Sequence, residues 1–294
     1  MTGSIYDIGY RGYDGPRLGR RHAVAALTRH SLRSVFGIGR GGRAKILPLI
    51  CIGLPALIAL IFVAIRALAS RGGLGDIPVV PGHDGMYPPI AAFPILFVAA
   101  QAPELLGRDQ RYRVLTLYFS RALRRTDYAL AKLTALSLGV LIILLVPQIL
   151  LGGGAILATA DLSAALGKEA AALPAVFGSS IIIAIVSAAA ALAIASVAPR
   201  RMYATASIFG VFIIPGIVAA IVIGLDLGGV AKWIVMLDIG SLLDGVNGFA
   251  FGIDPSSQPA LNSGIPVEVL SAGAVIIGGG ATVALIWRYL RIQA

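Results

Sequence analysis

The sequence predicts an all-α polytopic membrane protein: six transmembrane helices, an N-terminal amphipathic interfacial helix, and an outer membrane-dipping hairpin before the last span. Three observations predict it. Of 294 residues, 57% are hydrophobic and 13% charged, whereas soluble domains carry about 25% charged residues. The apolar residues are not spread evenly but gather in uncharged windows at 46–65, 86–103, 133–151, 173–198, 202–225 and 269–287. A bilayer core about 30 Å thick requires roughly 20 apolar helical residues, and each window meets or approaches that length. The third observation is the sidedness of charge. Placing the N-terminus in the cytoplasm puts twenty lysines and arginines on the inner side and leaves Arg66, Arg71, Lys168 and Lys232 outside. By the positive-inside rule, both termini of this multi-pass protein are expected in the cytoplasm.

The chain divides into a cytoplasmic arm with an amphipathic interfacial helix, 1–45, and a transmembrane domain, 46–294. The first 45 residues are polar, basic and rich in Gly and Tyr, which predicts no cleavable signal peptide. In the stretch GRRHAVAALTRHSLRSVFGIGR, helical spacing groups Val24, Leu27, Ser31, Val35 and Ile38 on one side. Arg29, Arg33 and Arg40 lie nearly opposite, suited to lipid phosphates at the membrane interface. A solvated helix packed on a cytoplasmic partner has the same pattern. The glycines of GIGRGGR, 37–43, lack a preceding strand and a Lys-Ser/Thr pair, so they read as a flexible joint and not as a phosphate loop.

The spans are expected at 46–68, 86–106, 128–151, 173–198, 202–225 and 268–288. Pro48 and Pro55 predict kinking in the first. The GGG at 152–154 is expected to end the third, and Pro199 marks a tight inner turn after the fourth. The stretch 226–266 is apolar but interrupted by Lys232, Asp238 and Asp244. An acid at mid-helix costs about 2.5 to 3.5 kcal/mol on insertion scales, which disfavours a seventh span. Two short helices dipping into the outer leaflet against protein fit better.

Catalytic chemistry is not signalled. His22, His30 and His83 stand at no metal-ligand spacing, and Cys51 is the single cysteine, within an apolar run. The spans lack the mid-membrane Asp, Glu or His of ion-coupled carriers. The arginines line separate membrane edges and form no single basic surface, so nucleic acid is not an expected partner. A transporter without ion-coupling residues or its own nucleotide site needs energy from a separate ATPase.

The segment GRDQRYRVLTLYFSRALRRTDYALAK, 107–132, carries a dense run of cations in a chain otherwise poor in charge. It resembles the loop between spans two and three in permease subunits of the ABC transporter type-2, export-type family. The family pattern has an acidic-basic start, a TL-x-LYLSRPLSR core and a DY-x-x-x-K exit. Asp109 and Arg111 match the start, residues 115–120 the core, Arg121 and Arg125 the flanking arginines, and Asp127, Tyr128 and Lys132 the exit. Tyr112 and Arg113 depart from a small Gly-Thr step, and Ala122 stands where Pro is usual. The arm YRGYDGPRLGRR, 10–21, is similar to that of actinobacterial members.

The resemblance implies that 108–127 is a coupling segment inserted into a cytoplasmic ABC ATPase. Asp109, Arg111, Arg121, Arg124, Arg125 and Asp127 would bond to the ATPase, and Leu117, Tyr118 and Phe119 would anchor in its apolar cleft. Asp127 also reads as a helix-starting cap. The implied protein is not itself an enzyme and binds no cofactor, since ATP and Mg sit in the partner ATPase. It pairs with a second permease, the same or homologous, in the lipid bilayer. It exports a hydrophobic or amphipathic substrate such as a drug, antibiotic or lipid. An ion-driven or passive carrier and a non-transporting membrane assembly protein remain the alternatives. The same arginines also serve topology with no partner at all.

Overall fold

The computed structural model describes residues 15, 18–71, 80–111, 115–120, 123–159, 161–198, 200–225, 229 and 231–291. Every regular element among them is helical. In chain order these are α1 (Gly19–Val35), α2 (Arg43–Arg71), the single turn α3 (Tyr87–Ile90), α4 (Ala92–Arg111), α5 (Leu115–Phe119) and α6 (Arg125–Ala158). Then follow α7 (Leu162–Val197), α8 (Arg201–Gly224), a 3-10 segment (Ala231–Leu237), α9 (Ile239–Phe251), α10 (Gln258–Ser263) and α11 (Val267–Arg291). Six helical stretches are long and apolar enough to cross a membrane: Arg43–Ala69, Tyr87–Gly107, Arg125–Ala158, Leu162–Val197, Arg201–Gly224 and Val267–Arg291.

Helix α7 is the central span, packed against α4, α6 and α11 with the run 188–191 buried. By contrast α8 turns Ile213, Ile214, Ile217 and Ile221 outward, an apolar surface that lipid would solvate. Two spans overrun the lengths expected from sequence. The third continues through 152–154 to Ala158, and the fourth begins at Leu162 instead of near 173. The glycines do not release the helix; they make room beside it. A Cβ on Gly154 would stand 2.4 Å from both methyl carbons of Val63, so only glycine lets α2 approach α6 there. At about 1.5 Å per residue, the 34 residues of α6 and 36 of α7 reach about 50 Å, beyond a core of about 30 Å. Asp161 closes this hairpin by accepting from the Ala164 amide at 3.1 Å and the Ser163 hydroxyl at 2.8 Å. Those donors, the backbone amide foremost, hold its carboxyl below the usual carboxylate range.

The basic helix ends at Val35, five residues short of Arg40. Leu27, Ser31 and Val35 are buried, while Arg29, Arg33 and Ile38 are exposed. α1 packs along the first half of α6: Arg20 meets Asp127 at one end, and Val35 lies against Gly139 at the other. The glycine joint is a built turn. Gly37 is buried at φ +68°, and a Cβ there would lie 2.6 Å from the Ala44 carbonyl oxygen.

The stretch before the last span holds no membrane-length helix among its described residues; α9 has 13 residues, about 20 Å. Asp238 and Asp244 do not sit unmatched at mid-helix. Asp238 is the N-cap of α9, accepting from the Gly240 and Ser241 amides at 3.1 and 3.0 Å and from the Ser241 hydroxyl at 2.6 Å. Asp244, within α9, accepts from the Ser256 hydroxyl and from the Ser257 amide at 2.7 Å. Burial of these carboxylates is offset by short, charge-assisted bonds, and α9 packs its buried face on α7 and α11.

Candidate functional site

The first turns of α6 begin at an extended Arg124, whose amide donates to Asp127 Oδ2 at 3.0 Å. Asp127 therefore caps the helix from its third position and not as the N-cap. Both carboxylate oxygens also receive Arg20, with Nε to Oδ2 at 2.7 Å and the terminal nitrogen to Oδ1 at 2.6 Å. This paired geometry lashes α1 to the start of α6 across 107 positions of sequence.

At the next position, Tyr128 is fully buried and holds this end of the bundle together. Its hydroxyl donates to Asp109 Oδ2 at 2.8 Å, and the same oxygen lies 2.7 Å from the Lys132 ammonium. Lys132, itself buried, also stands over the Tyr128 ring at 5.2 Å. The ring of Tyr289 from α11 packs at 5.0 Å, those of Tyr118 and Phe119 from α5 at 5.9 and 6.2 Å. Arg125 donates to the Leu290 carbonyl at 2.9 Å and lies 5.8 Å from the Phe119 ring centroid. The ends of α4, α6 and α11 thus meet on one buried phenol and one carboxylate, with α5 seated beside them.

A second clasp joins Glu104 to Arg40 at 3.0 Å and to Arg201 at 2.8 Å, fastening α4 to the turn before α2 and to the start of α8. Arg40 therefore lies outside α1 and its cation is used within the protein, while Arg29 and Arg33 are exposed.

Of the residues predicted for coupling, Asp109 and Asp127 turn inward to Lys132 and Arg20, and Arg125 turns to α11. Tyr118 and Phe119 are half-buried on Tyr128. Burial, with the Asp109 charge second, pushes the Tyr118 phenol up and keeps it protonated. Leu117, midway along α5, is 66% exposed, and Arg124 is exposed just before α6. Arg111 is described only by its backbone at the end of α4, and Arg121 lies outside the described residues.

Sequence reasoning did not find Arg20, Glu104 or Tyr289 as parts of this site. Their partners are distant in the chain, and no local spacing signals such a pair. Among the described residues, no three His, Cys, Asp or Glu side chains gather closely enough to hold a metal ion. No family model matches the chain, and no curated protein matches it.

Proposed function

We propose that the chain is the membrane-spanning permease subunit of an ABC-type exporter. In this reading it lies in a bacterial plasma membrane with both termini cytoplasmic and works as a dimer with cytoplasmic ATPase subunits that bind ATP and Mg. One observation carries it. A short helix, α5, displays the outward Leu117 at the end of the bundle where cations concentrate, and its base is braced to α4, α6 and α11 through Asp109, Tyr128, Lys132, Tyr289 and Arg125. A protruding apolar residue on a braced base is what a motor subunit needs in order to move membrane helices, because a load on a loosely tethered loop would be lost in bending.

Leu117 and Arg124 are then the outward contacts, while Asp109, Asp127 and Arg125 stiffen the mount. ATP-driven closure would push α5 against Tyr128 and tilt α6 and α11 together. The exposed Arg29 and Arg33 of α1 meet lipid phosphates at the inner surface, and 231–263 lies within the outer leaflet depth. The cargo is hydrophobic or amphipathic, in keeping with spans nearly free of ionisable groups.

The test is purification of the tagged chain from its native membranes. An ATP-hydrolysing subunit is expected to co-purify, and Leu117→Asp is expected to release it without changing thermal unfolding, since Leu117 packs on little of its own chain. A wild-type preparation that transports with no ATPase attached and ignores vanadate would overturn the proposal in favour of an ion-driven or passive carrier.

A further inference from the structure

At the end of the bundle opposite α5, the overrun of α6 and α7 borders an open cavity of about 670 Å³, within the size range of small-molecule sites. Its charged lining comes from three parts of the chain: Arg66 on α2, His83 and Asp84 in the segment before α3, and Lys168 and Glu169 on α7. The remainder is apolar or small, with Leu151, Phe251 and Ile253 the largest apolar side chains.

The wall of this cavity is built with care. His83 Nε2 lies 2.6 Å from Glu169 Oε2, and Nδ1 lies 2.6 Å from Gln148 Oε1. The Gln148 amide nitrogen donates back to the His83 carbonyl at 3.1 Å, which fixes the amide with its oxygen towards the ring. Both ring nitrogens therefore face acceptors, and the Glu169 carboxylate is engaged by His83. A Cβ on Gly152 would stand 2.7 Å from Glu169 Oε2, so the glycine on α6 leaves the space this pair occupies. With Glu169 engaged, Arg66 and Lys168 have no ion-pair partner among the described residues. Asp84 is the remaining acid of the lining, so two cations face one acid not engaged by His83.

We propose that this cavity binds an amphipathic anion, with a phosphate or carboxylate head on Arg66 and Lys168 and an apolar body against Leu151 and Phe251. Two cations on an apolar wall match a single anionic group joined to a hydrocarbon body. Arg66 supplies a planar fork for phosphate or carboxylate, and Lys168 a mobile point charge. An anionic lipid head and a free anionic amphiphile share this chemistry. As an exit site for cargo the cavity depends on the exporter reading; as an anion site it does not, and the assay below contains no ATPase.

The full chain in nanodiscs of purely zwitterionic lipid is titrated with dodecyl phosphate by calorimetry. Saturable binding is expected, weakened about tenfold or more for each charge-assisted bond removed in Arg66→Gln with Lys168→Gln. Competition by phosphatidylglycerol placed in the nanodisc assigns the site to a lipid head, and lack of competition assigns it to a free amphiphile. Undiminished binding by the double variant, equally tight dodecyltrimethylammonium, or equally tight inorganic phosphate would each overturn the proposal. Lys168→Gln alone, at an exposed position, gives the same reading if the double variant does not fold.

Discussion

The two mouths of this bundle treat charge in opposite ways. At the α5 end, inner in the proposed reading, cations outnumber acids, yet each acid described there is held by cations from other elements: Asp127 by Arg20, Asp109 by Lys132, and Glu104 by Arg40 and Arg201. At the opposite end, Asp161 and Asp238 serve as helix caps, Asp244 ties to the next loop, and Glu169 is taken up by His83 instead of by a lysine or arginine. Two outer cations, Arg66 and Lys168, are left facing a cavity. The inner pairs fix the relative positions of helices, and the outer arrangement keeps positive charge in reserve. Counting charges by side of the membrane detects the excess but not this division of labour.

The sharpest way to break the contrast is Asp109→Leu, which takes the carboxylate from the buried Lys132 and the Tyr128 hydroxyl. Loss of one partner of a buried pair destabilises by about 3 to 5 kcal/mol, read as a shift in denaturation in mixed micelles. Adding Lys132→Met is expected to recover most of that loss. A single variant that unfolds like the wild type would mean that the inner pair does not hold α4 to α6.

A middle effect is expected where the outer half depends on close packing and not on charge. Gly154→Ala inserts a methyl against the Val63 methyls and is expected to destabilise by about 1 to 3 kcal/mol, the usual range for overpacking. Val63→Ala in the same chain should relieve it. The smallest effect belongs to the outer cations. Arg66→Gln with Lys168→Gln should leave thermal unfolding unchanged while weakening dodecyl phosphate binding about tenfold or more for each charge-assisted bond removed. A large loss of stability there would show that these cations are structural after all, and the difference between the mouths would disappear.

The membrane-crossing helices were legible because each announces itself. An apolar window of about 20 residues is favoured in lipid whatever surrounds it, so 202–225 and 269–287 appear as α8 and α11 nearly residue for residue. The ends of α6 and α7 were less legible. GGG reads as a break by intrinsic propensity, but in a packed bundle the same glycines admit Val63 and Glu169. Of the five residues grouped on one side of the N-terminal stretch, Leu27, Ser31 and Val35 are buried and Ile38 is exposed beyond the end of α1, a limit set by the Gly37 turn and not by the charge pattern. Of the inner site, sequence reasoning picked out the segment that carries Asp109, Tyr118 and Asp127. It could not say that their partners would be Lys132, Tyr128 and Arg20.

Taken alone, the order of residues determined that the chain forms six membrane-length helices, with cations gathered at one set of ends. Transfer into lipid is summed over neighbouring side chains, and the sum can be made from a string of letters. Only the tertiary structure decided which charges are consumed by the protein and which are left over. An ion pair between positions 20 and 127, or a cavity shared by positions 66 and 168, exists only after the helices have chosen their neighbours.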